Sequence, residues 1–213
     1  MLTLYDYYRS SACFRVRIAL HLKGLDYQTI PIHLLNQGGE QFTSSYQTLN
    51  PHALVPTLQH DDHLLTQSLA IIEYLDEIYP LPALLPNDAD EKARVRAFAL
   101  SLCADMHPLN NLRVLTYLKQ MFHLSDEQKM QWYHHWVHKG LSALEKQLTS
   151  YSETGDFCFG HQPSLADICL VPQLYNARRF SCDLSAYPTL VRIDEHCQTL
   201  PAFTAAWPLE PVT

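Results

Sequence analysis

Apolar positions along the first eighty residues change period several times, and each change marks an element. Met1-Leu2-Thr3-Leu4-Tyr5 alternates as a strand does; Val16, Ala19, Leu20 and Lys23 then recur at helical spacing up to Gly24, a residue suited to stopping a helix. Tyr27 to Leu34 alternates again, and Pro31 inside it predicts an edge strand, because proline has no N–H to give to a ladder. Phe42, Tyr46 and Leu49 mark a short helix that ends at Asn50-Pro51. Val55 to Leu58 and Leu64 to Thr66, on either side of Asp61-Asp62, read as a hairpin, and Leu69, Ile72, Leu75 and Tyr79 line a third helix.

The order β-α-β-α-β-β-α predicts an α/β thioredoxin-like N-terminal domain over residues 1–82. Pro56, which opens a strand beside the first helix, is a candidate for a cis peptide bond. The run from Pro80 to Asn87, with prolines at 80, 82 and 86, breaks every pattern and reads as a semi-rigid connector. Beyond it the period is helical over 88–105, 110–122, 126–148, 165–177, 189–199 and 202–206, which predicts an all-α C-terminal domain over residues 88–213. Ser125-x-x-Gln128 and Ser164-x-x-Asp167 have capping-box spacing.

Composition narrows the class. At 213 residues with 47% apolar and 17% charged side chains, the chain can bury about 70% of its unfolded surface without covalent staples. A net charge of -7 argues against a nucleic-acid surface and still allows a local basic pocket. The six cysteines (13, 103, 158, 169, 182, 197) have neither paired metal spacing nor a disulfide-scaffold context, so reduced thiols and a cytoplasmic location are expected. The amino terminus lacks the basic start and apolar core of an export signal, and no run approaches eighteen apolar residues, so neither export nor a membrane partner is expected. His134 and His138 have metal-compatible spacing but no third ligand, and no metal is expected.

The chemistry concentrates where strands turn into helices. Ser10 and Ser11 stand at the start of the first helix, where unpaired N–H groups and the helix dipole favour a carboxylate or a thiolate. An ordinary N-cap and an anion site both fit these residues. Gln67-Ser68 repeats the situation at the third helix. A glutaredoxin-like thiol exchange is disfavoured, because the position that would carry its nucleophilic cysteine is Ser10.

The run Ser10-Ser11-Ala12-Cys13-Phe14-Arg15-Val16-Arg17-Ile18-Ala19-Leu20 resembles the signature of the zeta-class glutathione S-transferases. Asn50-Pro51, Val55-Pro56-Thr57-Leu58, Gln67 to Leu75, and Leu170-Val171-Pro172-Gln173 are similar to further blocks of that class, and the resemblance spans essentially the whole chain. Ala12 occupies the position of the class's usual cysteine and Cys13 follows one place later, which leaves the serines as the thiolate-stabilising pair. The resemblance implies a glutathione S-transferase fold, glutathione as cofactor, a homodimer, and a small dicarboxylate substrate. The implied activity is cis–trans isomerisation of maleylacetoacetate to fumarylacetoacetate, in tyrosine and phenylalanine catabolism. Isomerisation of maleylpyruvate in gentisate catabolism, or a general zeta-class transferase, is the alternative. Met106 to Val114 is at least as similar to the maleylpyruvate branch.

On this reading Ser11, Ser10 and Arg9 serve catalysis, and Ser10, Ser11, Val55, Pro56, Gln67, Ser68, His107 and Asn111 hold glutathione. Arg9, Arg113 and Arg179 are the candidates for the substrate carboxylates, since a guanidinium binds a carboxylate through two parallel hydrogen bonds. Arg15 and Arg17 are expected to make structural contacts.

Overall fold

The computed structural model describes residues 1–209. The chain divides into two compact units, one formed by Met1–Leu84 with the chain from Leu200 onward, the other by Leu85–Thr199.

The first unit runs β1 (Leu2–Asp6), α1 (Ser11–Leu22), β2 (Gln28–Pro31), α2 (Ser44–Leu49), β3 (Thr57–His60), β4 (His63–Thr66) and α3 (Ser68–Ile78). Its sheet has the order β2-β1-β3-β4, with β1 parallel to β2 and antiparallel to β3, and β3 antiparallel to β4. Pro31 does lie in an edge strand. That strand is shorter than its alternation suggests: all four residues are exposed, so one ladder and no packed face hold it. Phe42 falls outside α2 and is exposed, because Thr43 caps that helix by accepting from Tyr46 N–H at 3.4 Å. Gly24 ends α1 with φ +62°, and the Val55-Pro56 bond is cis. Leu4, Phe14, Ile18, Leu58, Ile71 and Leu75, all at 0% exposure, form the core where α1 and α3 meet the sheet.

Lys23, at the end of α1, is buried with its three ammonium protons satisfied by Asp76 and by the carbonyls of Tyr79 and Pro82. A buried ammonium is tolerable when each proton has an acceptor. This one ties the first helix to the end of the third and to the proline run.

The second unit runs α4 (Ala89–Leu100), a wider π-helical turn over Ser101–Met106, α5 (His107–Leu109), α6 (Leu112–Met121), α7 (Asp126–Ser150), α8 (Leu165–Arg179) and α9 (Pro188–Cys197). The helix expected over 88–105 therefore changes hydrogen-bond pattern partway. Pro108 explains the change: it offers no N–H to a carbonyl four residues back and its ring crowds that carbonyl, so His107 N–H bonds Leu102 O, five residues back. Both expected capping boxes form, at Ser125 and Ser164. α8 is buried along most of its length, and Asp167 at its start accepts from Cys158 N–H at 2.7 Å and Ser164 N–H at 2.8 Å.

The last helix, α10 (Pro201–Ala205), packs on α1. The sequence grouped residues 202–206 with the helical domain; an apolar stripe shows that a helix buries a face, not which element covers it. Here Trp207 meets Phe14 edge to face at 5.6 Å, and buried Arg17 donates to Ala206 O at 3.0 Å, to Tyr8 O at 3.0 Å and to Asp6 at 2.6 Å. Arg17 is thus structural, as expected. Among the described residues no helix is long and apolar enough to cross a membrane.

Candidate active site

Sheet register gathers three of the candidate segments. Tyr5 pairs with Thr57 and Thr57 with Thr66, so the loop leaving β1, the Val55-Pro56 pair entering β3 and the turn from β4 into α3 emerge at the same end of the sheet. Residues far apart in sequence become neighbours because hydrogen-bonded strands lie about 4.8 Å apart.

At the first of these turns the two serines are not equivalent. Ser10 is the N-cap, with φ -74° and ψ 120°, and its hydroxyl accepts from Cys13 N–H at 3.3 Å. Ser11 is the first helical residue, 5% exposed, at the positive end of the helix dipole. Cys13 is wholly buried and its Sγ accepts from Tyr7 N–H at 3.4 Å. Burial, reinforced by the Asp6 carboxylate, pushes the Cys13 thiol far above the usual range, so it stays protonated and inert as a nucleophile. Arg9 lies half-buried with its guanidinium 4.9 Å from the centre of the Tyr8 ring.

At the turn into α3, Gln67 is the N-cap in a left-handed conformation, φ 70° and ψ 115°, with no side-chain cap bond. Such a backbone costs about 1–3 kcal/mol in a residue other than glycine, and it concentrates at ligand-holding turns. Ser68 is accordingly the first helical residue rather than the cap. Its hydroxyl accepts from Arg15 Nη1 at 3.0 Å. Arg15 was expected to be structural; its Nε and Nη2 are buried with no hydrogen-bond partner among the described residues.

Between α2 and β3, half-buried Val55 contributes neither N–H nor C=O to the backbone hydrogen bonds of the described residues. The loop before it is held from behind. Asn50 Nδ2 donates to Leu54 O at 2.8 Å and to Thr57 Oγ1 at 3.2 Å, Asn50 Oδ1 accepts from His52 N–H at 3.1 Å, and Tyr46 Oη donates to Leu54 O at 2.7 Å. Burial raises the Tyr46 phenol to about 12, so it remains a neutral donor. Gln41, also buried, leaves its Oε1 without a partner among the described residues. Its side chain folds over Gly39, where φ is +109° and a Cβ would come within 2.6 Å of the Gln41 amide. Arg15, Gln41, Asn50 and Tyr46 were not among the expected site residues; the Ser10-to-Leu20 run and the Asn50-Pro51 block held Arg15 and Asn50, Tyr46 stood only as a helix position, and nothing in the sequence signalled Gln41.

In the second unit, Asn111 caps α6 by accepting from Arg113 N–H at 3.1 Å, and its Nδ2 stands 3.4 Å from His107 Nε2. Trp132 Nε1 and Asn110 Nδ2 fasten this turn to α7, through Leu109 O at 2.9 Å and Tyr133 O at 3.3 Å. The structure separates the adjacent arginines of α8. Arg178 pairs with Asp194, which is wholly buried, whereas exposed Arg179 lies 5.1 Å from the centre of the Phe180 ring. Arg113 is exposed. His134 and His138 are engaged by Phe180 O and the Tyr187 hydroxyl, both at 2.8 Å.

The site in the first unit can therefore accept an anion at either of two helix starts and an extended backbone at Val55, with no ionisable thiol of its own. A family described as "Glutathione S-transferase, N-terminal domain" matches residues 4–83. A probable maleylacetoacetate isomerase of Vibrio cholerae is 50% identical over 97% of this chain and 95% of its own. A holo structure of a maleylpyruvate isomerase, titled a bacterial zeta-class glutathione S-transferase, superposes with TM-score 0.94 at 43% identity, covering 97% of this chain and 96% of the other. A maleylacetoacetate isomerase of Methylobacterium extorquens, solved with bound malonate and glutathione, gives TM-score 0.94 at 38% identity, covering 98% of each chain.

Proposed function

This chain belongs to the zeta-class glutathione S-transferase family, and from that premise we propose that it is a glutathione-dependent cis–trans isomerase converting maleylacetoacetate to fumarylacetoacetate. The reading is carried by near-complete coverage at 50% identity to a probable maleylacetoacetate isomerase, joined to a serine turn whose neighbouring Cys13 thiol is held protonated by burial. Maleylpyruvate is the second substrate to consider, favoured by the structural match to a maleylpyruvate isomerase. The residues present suit the cofactor: a buried serine backed by a guanidinium for a carboxylate, an unpaired backbone at Val55 for a peptide, and an orphaned Gln41 carbonyl.

Glutathione, when bound, supplies a thiolate that adds to the double bond and is expelled again, so none is consumed. Ser11 donates a hydrogen bond that, with the helix start behind it, holds that thiolate ionised at neutral pH; Ser10 keeps the turn in shape by capping it. Val55 pairs with the cofactor's backbone as an added strand, and Pro56 keeps that edge in place. Gln67 and Ser68 take the γ-glutamyl end, and His107 and Asn111 contribute from the helical domain. Arg9, Arg113 and Arg179 bind the substrate's carboxylates, which must enter a protein of net charge -7 beside a thiolate that is itself negative. We read the cofactor domain as residues 1–82 and the substrate domain as 88–213, of which the closing helix α10 returns to pack on α1, in a cytoplasmic homodimer; among the described residues none of the six cysteines is in a disulfide, which suits a reducing compartment.

Parallel assays of maleylacetoacetate and maleylpyruvate, with and without glutathione and with free thiol followed throughout, test the proposal. Isomerisation with no loss of thiol is expected. One equivalent of thiol lost per turnover would reassign the protein to conjugation.

A further inference from the structure

We propose that Arg15 is a positioning residue for the cofactor's γ-glutamyl carboxylate, acting through the Ser68 hydroxyl; this rests on the glutathione reading above. Arg15 follows Ser11 by four residues on α1, which places both on one helix face. From there it reaches Ser68 at the start of α3, a helix that packs on α1. One guanidinium thus connects the two helix starts that the sheet register brings to the same end of the unit.

Hydrogen-bond accounting fixes what that contact does. A guanidinium has donors and no acceptor, so at 3.0 Å Ser68 Oγ must accept from Arg15 Nη1. The hydroxyl's single proton is then left to donate to a ligand, and the Ser68 N–H, at the first position of an eleven-residue helix, has no intrahelical acceptor either. Two donors from one residue, with a positive charge behind them, suit a carboxylate.

Arg15 is poorly explained by stability. It is 2% exposed, and its Nε and Nη2 are buried with no hydrogen-bond partner among the described residues. Desolvating a charge and leaving two of its nitrogens unpaired is costly, and an apolar side chain of similar length is often at least as stabilising at such a site. A cation retained under these conditions makes sense if an anion completes its surroundings. The low-dielectric setting that makes the charge expensive also strengthens its pull on an incoming carboxylate.

Arg15→Met decides the matter, with three ligands measured by titration calorimetry and with the melting temperature of the unliganded protein. The ligands are glutathione, the decarboxylated γ-aminobutyryl-cysteinyl-glycine, which lacks the γ-glutamyl α-carboxylate and keeps the amine, and the deaminated glutaryl-cysteinyl-glycine, which keeps that carboxylate and lacks the amine. We expect the variant to bind glutathione and the deaminated ligand at least tenfold more weakly, to bind the decarboxylated ligand as the native protein does, and to melt no lower than it. Arg15→Lys should weaken glutathione by an intermediate factor, and adding Ser68→Ala to Arg15→Met should cost little more than either change alone. Equal weakening for all three ligands, or a lower melting temperature, would make Arg15 structural and overturn the proposal. Unchanged glutathione binding in Arg15→Met would overturn it while leaving the cofactor reading intact; failure of the native protein to bind glutathione would remove both.

Discussion

Asn50→Ala is expected to weaken both the fold and the cofactor site, by an amount that follows from the hydrogen bonds around Val55. Tyr46 has one hydroxyl proton and the 2.7 Å contact to Leu54 O takes it, so Thr57 Oγ1 donates to Tyr46 Oη at 3.0 Å and accepts from Asn50 Nδ2 at 3.2 Å. Alanine removes that bond, the one from Nδ2 to Leu54 O, and the one from His52 N–H. His52 is exposed, so water replaces the last, and Leu54 O and Thr57 Oγ1 both keep Tyr46 as a partner. No buried acceptor is fully orphaned, and two or three bonds at about 1 kcal/mol each give a loss of about 2–3 kcal/mol. For a chain of this size that is roughly 5–10 °C in melting temperature. If about 1.4 kcal/mol of the reordering falls on binding, KM for glutathione rises about tenfold. Lys23→Met is the control: it removes three bonds of similar burial at the other end of α1, so it should lower stability and leave KM unchanged. Calorimetric melting and initial rates over a range of glutathione concentrations measure both quantities. If the two variants change KM equally, or if Asn50→Ala leaves it alone, the claim that this network positions Val55 is wrong.

Ser11→Ala should lower kcat by a barrier of about 3 kcal/mol with a much smaller change in glutathione affinity, checked by steady-state kinetics and thiol titration; unchanged turnover would move the role to Ser10. Cys13→Ala should leave kcat within about twofold, and iodoacetamide at pH 8 should spare Cys13 in the native protein by peptide mapping, because its buried thiol ionises far above that pH. Arg9→Met, Arg113→Met and Arg179→Met should each cost about 1.5–3 kcal/mol in kcat/KM on the diacid and less on a monoester. Equal losses on both substrates would assign these arginines to structure.

Much of the fold was legible from local pattern. Period-2 and helical runs located the strands and most helices, Pro31 marked the edge strand, and both capping boxes formed as read. These signals are local: each depends on residues within a few positions of one another, which the chain itself keeps close. Ser10 and Ser11 could be placed at a helix start for the same reason.

The pairing of distant groups was decided only by tertiary structure. Nothing near Arg15 in sequence announces Ser68, fifty-three positions on, and an arginine in a helix reads equally as a surface charge or a buried donor until the packing of α1 on α3 is known. The same holds for Arg178 and Arg179, identical in sequence context and separated by Asp194, which claims the first, and for α10, whose apolar face revealed burial but not its partner on α1. The sequence by itself determined which elements form, because propensity, capping and periodicity act over a single turn or strand. Which side chain meets which across elements depended on register and packing, where one residue's offset turns a side chain to the other face and no short-range signal records the outcome.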